Sequence, residues 1–129
     1  MDQDTATNKR ILCIEDEHFI SELYERALTK AGYQVTTAID GQSGLEAALT
    51  DEFDIILLDI MIPGMTGADV IKKLRGTEST KLIKAKIIIT TNLEQGISGR
   101  ADIESLADGY VIKAEITPSQ LVEFIGELK

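Results

Sequence analysis

The sequence has no tryptophan, one cysteine and one histidine. A lone cysteine excludes a disulfide within the chain and supplies no metal-site spacing. Cys13 lies inside an apolar run, so packing is its expected role. His18 has neither a second histidine nor a cysteine partner and reads as a solvated first-turn residue. Basic residues are also scarce. There are 13 Lys and Arg against 22 Asp and Glu, a formal net charge of −9 and a pI near 4.5. Binding to a phosphate backbone needs a basic face, so nucleic acid is not expected as a direct partner. No apolar run approaches the length of a membrane span, and no membrane association is expected. Residues 1–9 are polar and lack the apolar stretch of a secretory signal. Residues 1–8 are therefore expected to form a disordered lead, and the cytoplasm is the default compartment. A chain of 129 residues suits one domain with one core, here 9–129.

What is present is a set of apolar runs with polar ends. Ile11-Leu12-Cys13-Ile14 runs into Glu15-Asp16, and Ile55-Ile56-Leu57-Leu58 runs into Asp59. Ile87-Ile88-Ile89 runs into Thr90-Thr91, and Tyr110-Val111-Ile112 stops at Lys113. Ligands of a parallel sheet bind outside the carboxyl ends of its strands. Side by side, these four ends would place carboxylates, a hydroxyl and an ammonium in one crevice. That set suits a divalent cation, a phosphoryl group and a carboxylate nucleophile.

Between the runs lie helical patterns. Residues 17–31 carry Phe19, Ile20, Leu23, Ala27, Leu28 and Ala31 at helical spacing, and Gly32 follows as a C-terminal glycine. A short β-branched strand is expected at 34–38. Residues 41–49 form a second helix, Pro63-Gly64 breaks the chain, and a third helix covers about 67–75. Residues 76–85 read as a lysine-rich loop. A fourth helix, about 94–106, is weakened by Gly96 and Gly99, each costing about 1 kcal/mol relative to Ala. Thr117, Pro118 and Gln120 mark a capped start for the last helix. The strands are expected at 10–15, 34–38, 54–59, 86–90 and 109–113. The order βαβαβαβαβα with right-handed crossovers makes an α/β doubly wound parallel sheet with helices on both faces.

Four segments carry a resemblance: Ile-Leu-Cys-Ile-Glu-Asp-Glu at 11–17, Leu-Leu-Asp-Ile-Met-Ile-Pro-Gly-Met-Thr-Gly at 57–67, Ile-Ile-Ile-Thr-Thr-Asn-Leu at 87–93 and Asp-Gly-Tyr-Val-Ile-Lys at 108–113. In this order the chain resembles the receiver domain of two-component response regulators, over about 10–129. The resemblance implies a flavodoxin-like (βα)5 sandwich with strand order 2-1-3-4-5. It implies that Asp59 accepts a phosphoryl group from a sensor histidine kinase or phosphotransfer protein. Mg²⁺ is the implied cofactor. Asp16 and Asp59 would be its direct carboxylate ligands, Glu15 would bind through water, and the backbone carbonyl of Met61 would complete the protein's share. Thr90 and Thr91 compete for the hydroxyl role. Spacing back from Lys113, as in receivers without gaps, selects Thr91. Lys113 would pair with Asp59 before reaction and with a phosphoryl oxygen after it. Thr91 and Tyr110 would be the switch pair, shifting a population between two states.

Three departures and consequences follow. Receivers usually place Pro after the lysine, often with a cis bond. Here Ala114 stands there, and a cis bond before a non-proline residue costs roughly 3 kcal/mol. Met61 and Leu93, two residues after Asp59 and Thr91, are apolar and cannot orient water, which predicts slow self-dephosphorylation. Without an output domain, the signal would pass by contact through the face of the fourth helix, fifth strand and fifth helix. The receiver of that contact would be a target protein, another phosphotransfer protein, or a second copy in a homodimer formed on phosphorylation. The alternative is a degenerate receiver, a constitutive protein-interaction module that is never phosphorylated. A flavin-binding protein of the same fold does not fit, because the first loop holds acids where a phosphate cradle needs backbone donors.

Overall fold

Continuous apolar runs form strands when helices cover both faces of a parallel sheet. The computed structural model describes residues 9–76, 83–92, 103 and 105–128. In it the runs become β1 (Arg10–Ile14), β2 (Gln34–Ala38), β3 (Ile55–Asp59), β4 (Lys86–Thr91) and β5 (Gly109–Ile112). All pair in parallel, in the order β2-β1-β3-β4-β5. Helices α1 (His18–Lys30), α2 (Gly41–Ala48) and α3 (Gly67–Arg75) alternate with the strands. A short 3₁₀ turn (Lys113–Glu115) leads from β5 toward the C-terminal helix (Pro118–Gly126). The expected fold and strand order are those observed. Strand and helix ends differ by a residue at several places; Glu15, Asp54 and Lys113 fall just outside their strands.

Alternation along the strands divides the core in two. Leu12, Ile14, Ile56, Leu58, Ile87 and Ile89 pack on one face with Leu45, Ala48, Val70, Ile71 and Leu74 of α2 and α3. Ile11, Cys13, Ile55, Leu57, Ile88 and Val111 pack on the other with Tyr24 and Leu28 of α1 and Leu121 and Ile125 of the C-terminal helix. Burial of these strands pushes the Cys13 thiol up to about 12, so Cys13 is an inert packing group.

The α1 stripe needs correction. Phe19 is 72% exposed and Ala31 is exposed, while Ser21, Tyr24 and Leu28 are the buried positions. Phe19 sits in the first turn, directly after the loop at the carboxyl edge of β1, where little of the sheet remains to cover it.

Local chemistry sets the helix ends. Gly32 has φ 107; its N–H donates to Thr29 O at 3.0 Å, and Tyr33 N–H donates to Leu28 O at 3.1 Å, closing a Schellman motif. The C-terminal helix has the expected capping box between Thr117 and Gln120. A second box, Thr66 with Asp69, starts α3. Arg75 ties the end of α3 to the amino edge of the sheet. It donates to Leu106 O, to the Asp108 carboxylate and to Ala85 O, and Asp108 also accepts from Ile87 N–H.

The disordered lead at 1–8 lies outside the described residues, as does most of the expected fourth helix at 94–106. Of that stretch, Ile103 is fully buried against the α2 and α3 face. No helix among the described residues is long and apolar enough to cross a membrane.

Candidate functional site

The carboxyl edges of β1, β3 and β5 bring one cation and three carboxylates together. Asp59 is the last residue of β3 and is 2% exposed. Its Oδ2 accepts from Lys113 Nζ at 3.0 Å, and its Oδ1 accepts from the Met61 backbone N–H at 3.0 Å. The strand end is held in place by Ile60 N–H donating to Thr90 O and Gly67 N–H donating to Ile60 O, each at 3.1 Å. Gly67 is required there, because a Cβ would overlap the Asp59 carbonyl and the Ile60 Cα. The N-terminus of α3 can therefore pack directly against the end of β3.

Glu15 extends β1 by one residue, its N–H donating to Ala38 O at 3.0 Å. It is 2% exposed, and Lys113 Nζ lies 3.1 Å from its Oε1. Its Oε2 accepts from Glu17 N–H at 3.2 Å. Burial, with the Asp59 charge beside it, pushes the Glu15 carboxyl up to about 7, although Lys113 opposes the shift. Burial alone would lower Lys113. The charges of Asp59 and Glu15 outweigh it and raise the ammonium above its ordinary value. Lys113 is thus a buried cation shared by two buried anions, with Glu17 Oε2 at 4.0 Å on the rim.

Asp16 is exposed, and its carboxylate is not part of the lysine pairing. One oxygen each from Glu15, Asp16 and Asp59 lie within 4.8 Å of one another. Hard carboxylate oxygens at this spacing are the donor set a small divalent cation takes, with waters filling the remaining positions. The residues fit such an ion.

The described residues contain no cis peptide bond, so Lys113–Ala114 is trans. The missing proline has not displaced the lysine. The 3₁₀ turn beginning at Lys113 still delivers its ammonium to Asp59.

The hydroxyls divide. Strand pairing sets Thr90 opposite Asp59, and alternation puts paired residues on the same face. Thr91 is fully buried, and its hydroxyl donates to Asn92 O at 3.2 Å. Tyr110 is 50% exposed at the start of β5, turned outward beside Phe124. Met61 contributes its amide to the site while its side chain is 54% exposed. Leu93 lies outside the described residues. The feature that sequence reasoning missed is the Glu15–Lys113 pair. It joins residues 98 apart, and no local signal announces it.

The profile of the response regulator receiver domain family matches residues 11–126. The response regulator ArlR of Staphylococcus aureus is 33% identical over 120 residues, covering 93% of this chain and 51% of that protein. The chain therefore spans about half the length of the curated relatives it matches. Among solved structures, the chemotaxis protein CheY4 of Vibrio cholerae superposes with a TM-score of 0.78 at 26% identity, covering 95% of this chain and 100% of that one. The response regulator TrrA of Thermotoga maritima, solved in complex with Mg²⁺ and BeF, superposes with a TM-score of 0.76 at 33% identity, covering 94% and 99%.

Proposed function

The chain belongs to the response regulator receiver domain family, and from that premise we propose that Asp59 is its phosphoacceptor. Phosphorylation-dependent two-component signalling is the general function of the family, and its receivers interact with histidine kinases or phosphotransfer proteins. One observation carries the reading for this chain: Lys113 bridges Asp59 and Glu15, with Asp16 beside them.

The chemistry follows from that arrangement. Lys113 and the Met61 N–H hold the two oxygens of Asp59 in fixed positions. An Asp59 oxygen attacks the phosphorus of a phosphohistidine; the P–N bond breaks, and the imidazole leaves with the electron pair. The product is an acyl phosphate on Asp59. Mg²⁺, when bound, neutralises charge on the phosphoryl oxygens. Asp16, Asp59 and the Met61 carbonyl would hold it, with Glu15 reaching it through water. Lys113 exchanges its Asp59 contact for a phosphoryl oxygen, and Glu15 keeps the ammonium aimed inward while it does so. Thr91 leaves the Asn92 carbonyl and donates to the phosphoryl group. Tyr110 turns inward in the same transition, a population shift driven by better contacts in one state.

The switched surface is the face of β5 and the C-terminal helix, together with the expected fourth helix. Its occupant is a downstream protein or a second copy of the chain. The reaction takes place in the cytoplasm, and self-dephosphorylation is slow because Met61 cannot orient water.

Incubation with acetyl phosphate and Mg²⁺, followed by intact mass measurement, tests the reading. Wild type gains one PO₃ group and Asp59→Asn does not. Equal gain in the variant removes Asp59 from the role. No gain in either protein, from acetyl phosphate or a phosphorylated donor, supports a constitutive binding module instead.

A further inference from the structure

We propose that the groove between β5 and the C-terminal helix docks a basic, apolar-anchored segment of a partner protein. The inference deepens the target-binding part of the functional reading and rests on it for its link to phosphorylation. The groove has a volume of about 420 Å³. Val111 and the half-buried Phe124 form its apolar floor, and the half-exposed Tyr110 stands at one side.

Among the described residues that line it, the charged side chains have one sign. Glu115, Glu123 and Glu127 all line the groove and all are exposed. Among the described residues, none of the three is ion-paired. Lys113, two residues before Glu115, does not neutralise it, because its side chain is 6% exposed and committed to Glu15 and Asp59. Glu123 and Glu127 are one helical turn apart, a like-charge spacing that destabilises a helix by a few tenths of a kcal/mol. An aromatic floor ringed by uncompensated carboxylates matches a segment with one or two apolar side chains flanked by Lys or Arg.

The same charges argue against a second copy. A two-fold contact sets a patch against itself, so the three glutamates would meet their own images. A chain of net charge −9 would add to that repulsion. Tyr110 gives the groove its link to the site, since the residue proposed to turn on phosphorylation also walls the groove.

The test is amide NMR titration with two short synthetic peptides sharing one Phe-Leu anchor, one flanked by Lys and Arg and the other by Glu. The basic peptide shifts the resonances of 110–127 saturably, and rising salt weakens it. The acidic peptide leaves them in place. The triple variant Glu115→Lys, Glu123→Lys, Glu127→Lys binds the basic peptide at least about tenfold more weakly and gains affinity for the acidic one. Glu123→Gln, which removes a single charge from an exposed helix position, gives a smaller loss. Equal binding of both peptides, shifts confined to the α1 acids Glu22 and Glu25, or unchanged affinity in the triple variant overturns the proposal. So does broadening of 110–127 with protein concentration alone, which would make a second copy the occupant. Mg²⁺ and beryllofluoride in the same samples report the acceptor site through residues 15–16 and 59–61. Failure there with intact peptide binding strikes the receiver reading; the reverse strikes only the groove.

Discussion

Replacing Lys113 by Met keeps most of the stem volume and deletes the charge that two buried carboxylates share. Lys113 Nζ is 3.0 Å from Asp59 and 3.1 Å from Glu15, and all three side chains are at most 6% exposed. Removing one member of a buried ionic cluster leaves uncompensated charge and costs about 3–5 kcal/mol. For a domain of this size, a 3 kcal/mol loss lowers Tm by roughly 10 °C. The deficit depends on pH. Glu15 titrates near 7 in the fold against 4.5 in an ordinary environment. Between those values the folded protein holds a proton that the unfolded chain has released, so this group's contribution to stability falls as pH rises. Without the ammonium, Glu15 moves further up and the window extends above 7. Lys113→Met should therefore be nearest to wild type around pH 5 and furthest from it at pH 8. Urea unfolding at both pH values measures the difference. A deficit below about 1 kcal/mol at both would match a solvated surface pair and refute the reasoning.

Two further outcomes follow from the same site. Mg²⁺ should raise the Tm of wild type by relieving repulsion among Glu15, Asp16 and Asp59. An equal increment in Asp16→Ala, read by scanning fluorimetry, would contradict that. Met61→Glu places a water-orienting carboxylate next to the acceptor and should speed loss of the phosphoryl group by roughly tenfold or more. Phosphate release after acetyl phosphate is removed gives the rate, and a rapid wild-type rate unchanged in the variant would count against an apolar block.

The strands were legible because burial on both faces writes itself as unbroken apolar runs, as in Ile55–Leu58. The ends marked by Gly32 and by Thr117 with Gln120 were legible because a cap is chemistry within a few residues. Phe19 misled because periodicity shows which side of a helix is apolar, not whether the sheet extends far enough to cover it. The candidate site residues could be named from the strand ends, and the Lys113–Asp59 pair was expected from the resemblance, but the Glu15–Lys113 pair was not. Nothing near Glu15 or Lys113 in sequence shows that they meet, and the same holds for Arg75 and Asp108. Spacing selects Thr91 over Thr90; the sheet register sets Thr90 opposite Asp59, and a separate local bond takes the Thr91 hydroxyl to the Asn92 carbonyl.

The central claim is that one PO₃ group is held at once by Asp59, Lys113 and a threonine hydroxyl, with a metal on the acidic side. A crystal structure grown with Mg²⁺ and beryllofluoride tests it most directly. Beryllium should sit on an Asp59 oxygen, with Lys113 Nζ and the Thr91 hydroxyl on its fluorides and Mg²⁺ against Asp16 and the Met61 carbonyl. Beryllium bound elsewhere, or Lys113 still closed on Glu15 with no contact to the fluorides, would contradict it.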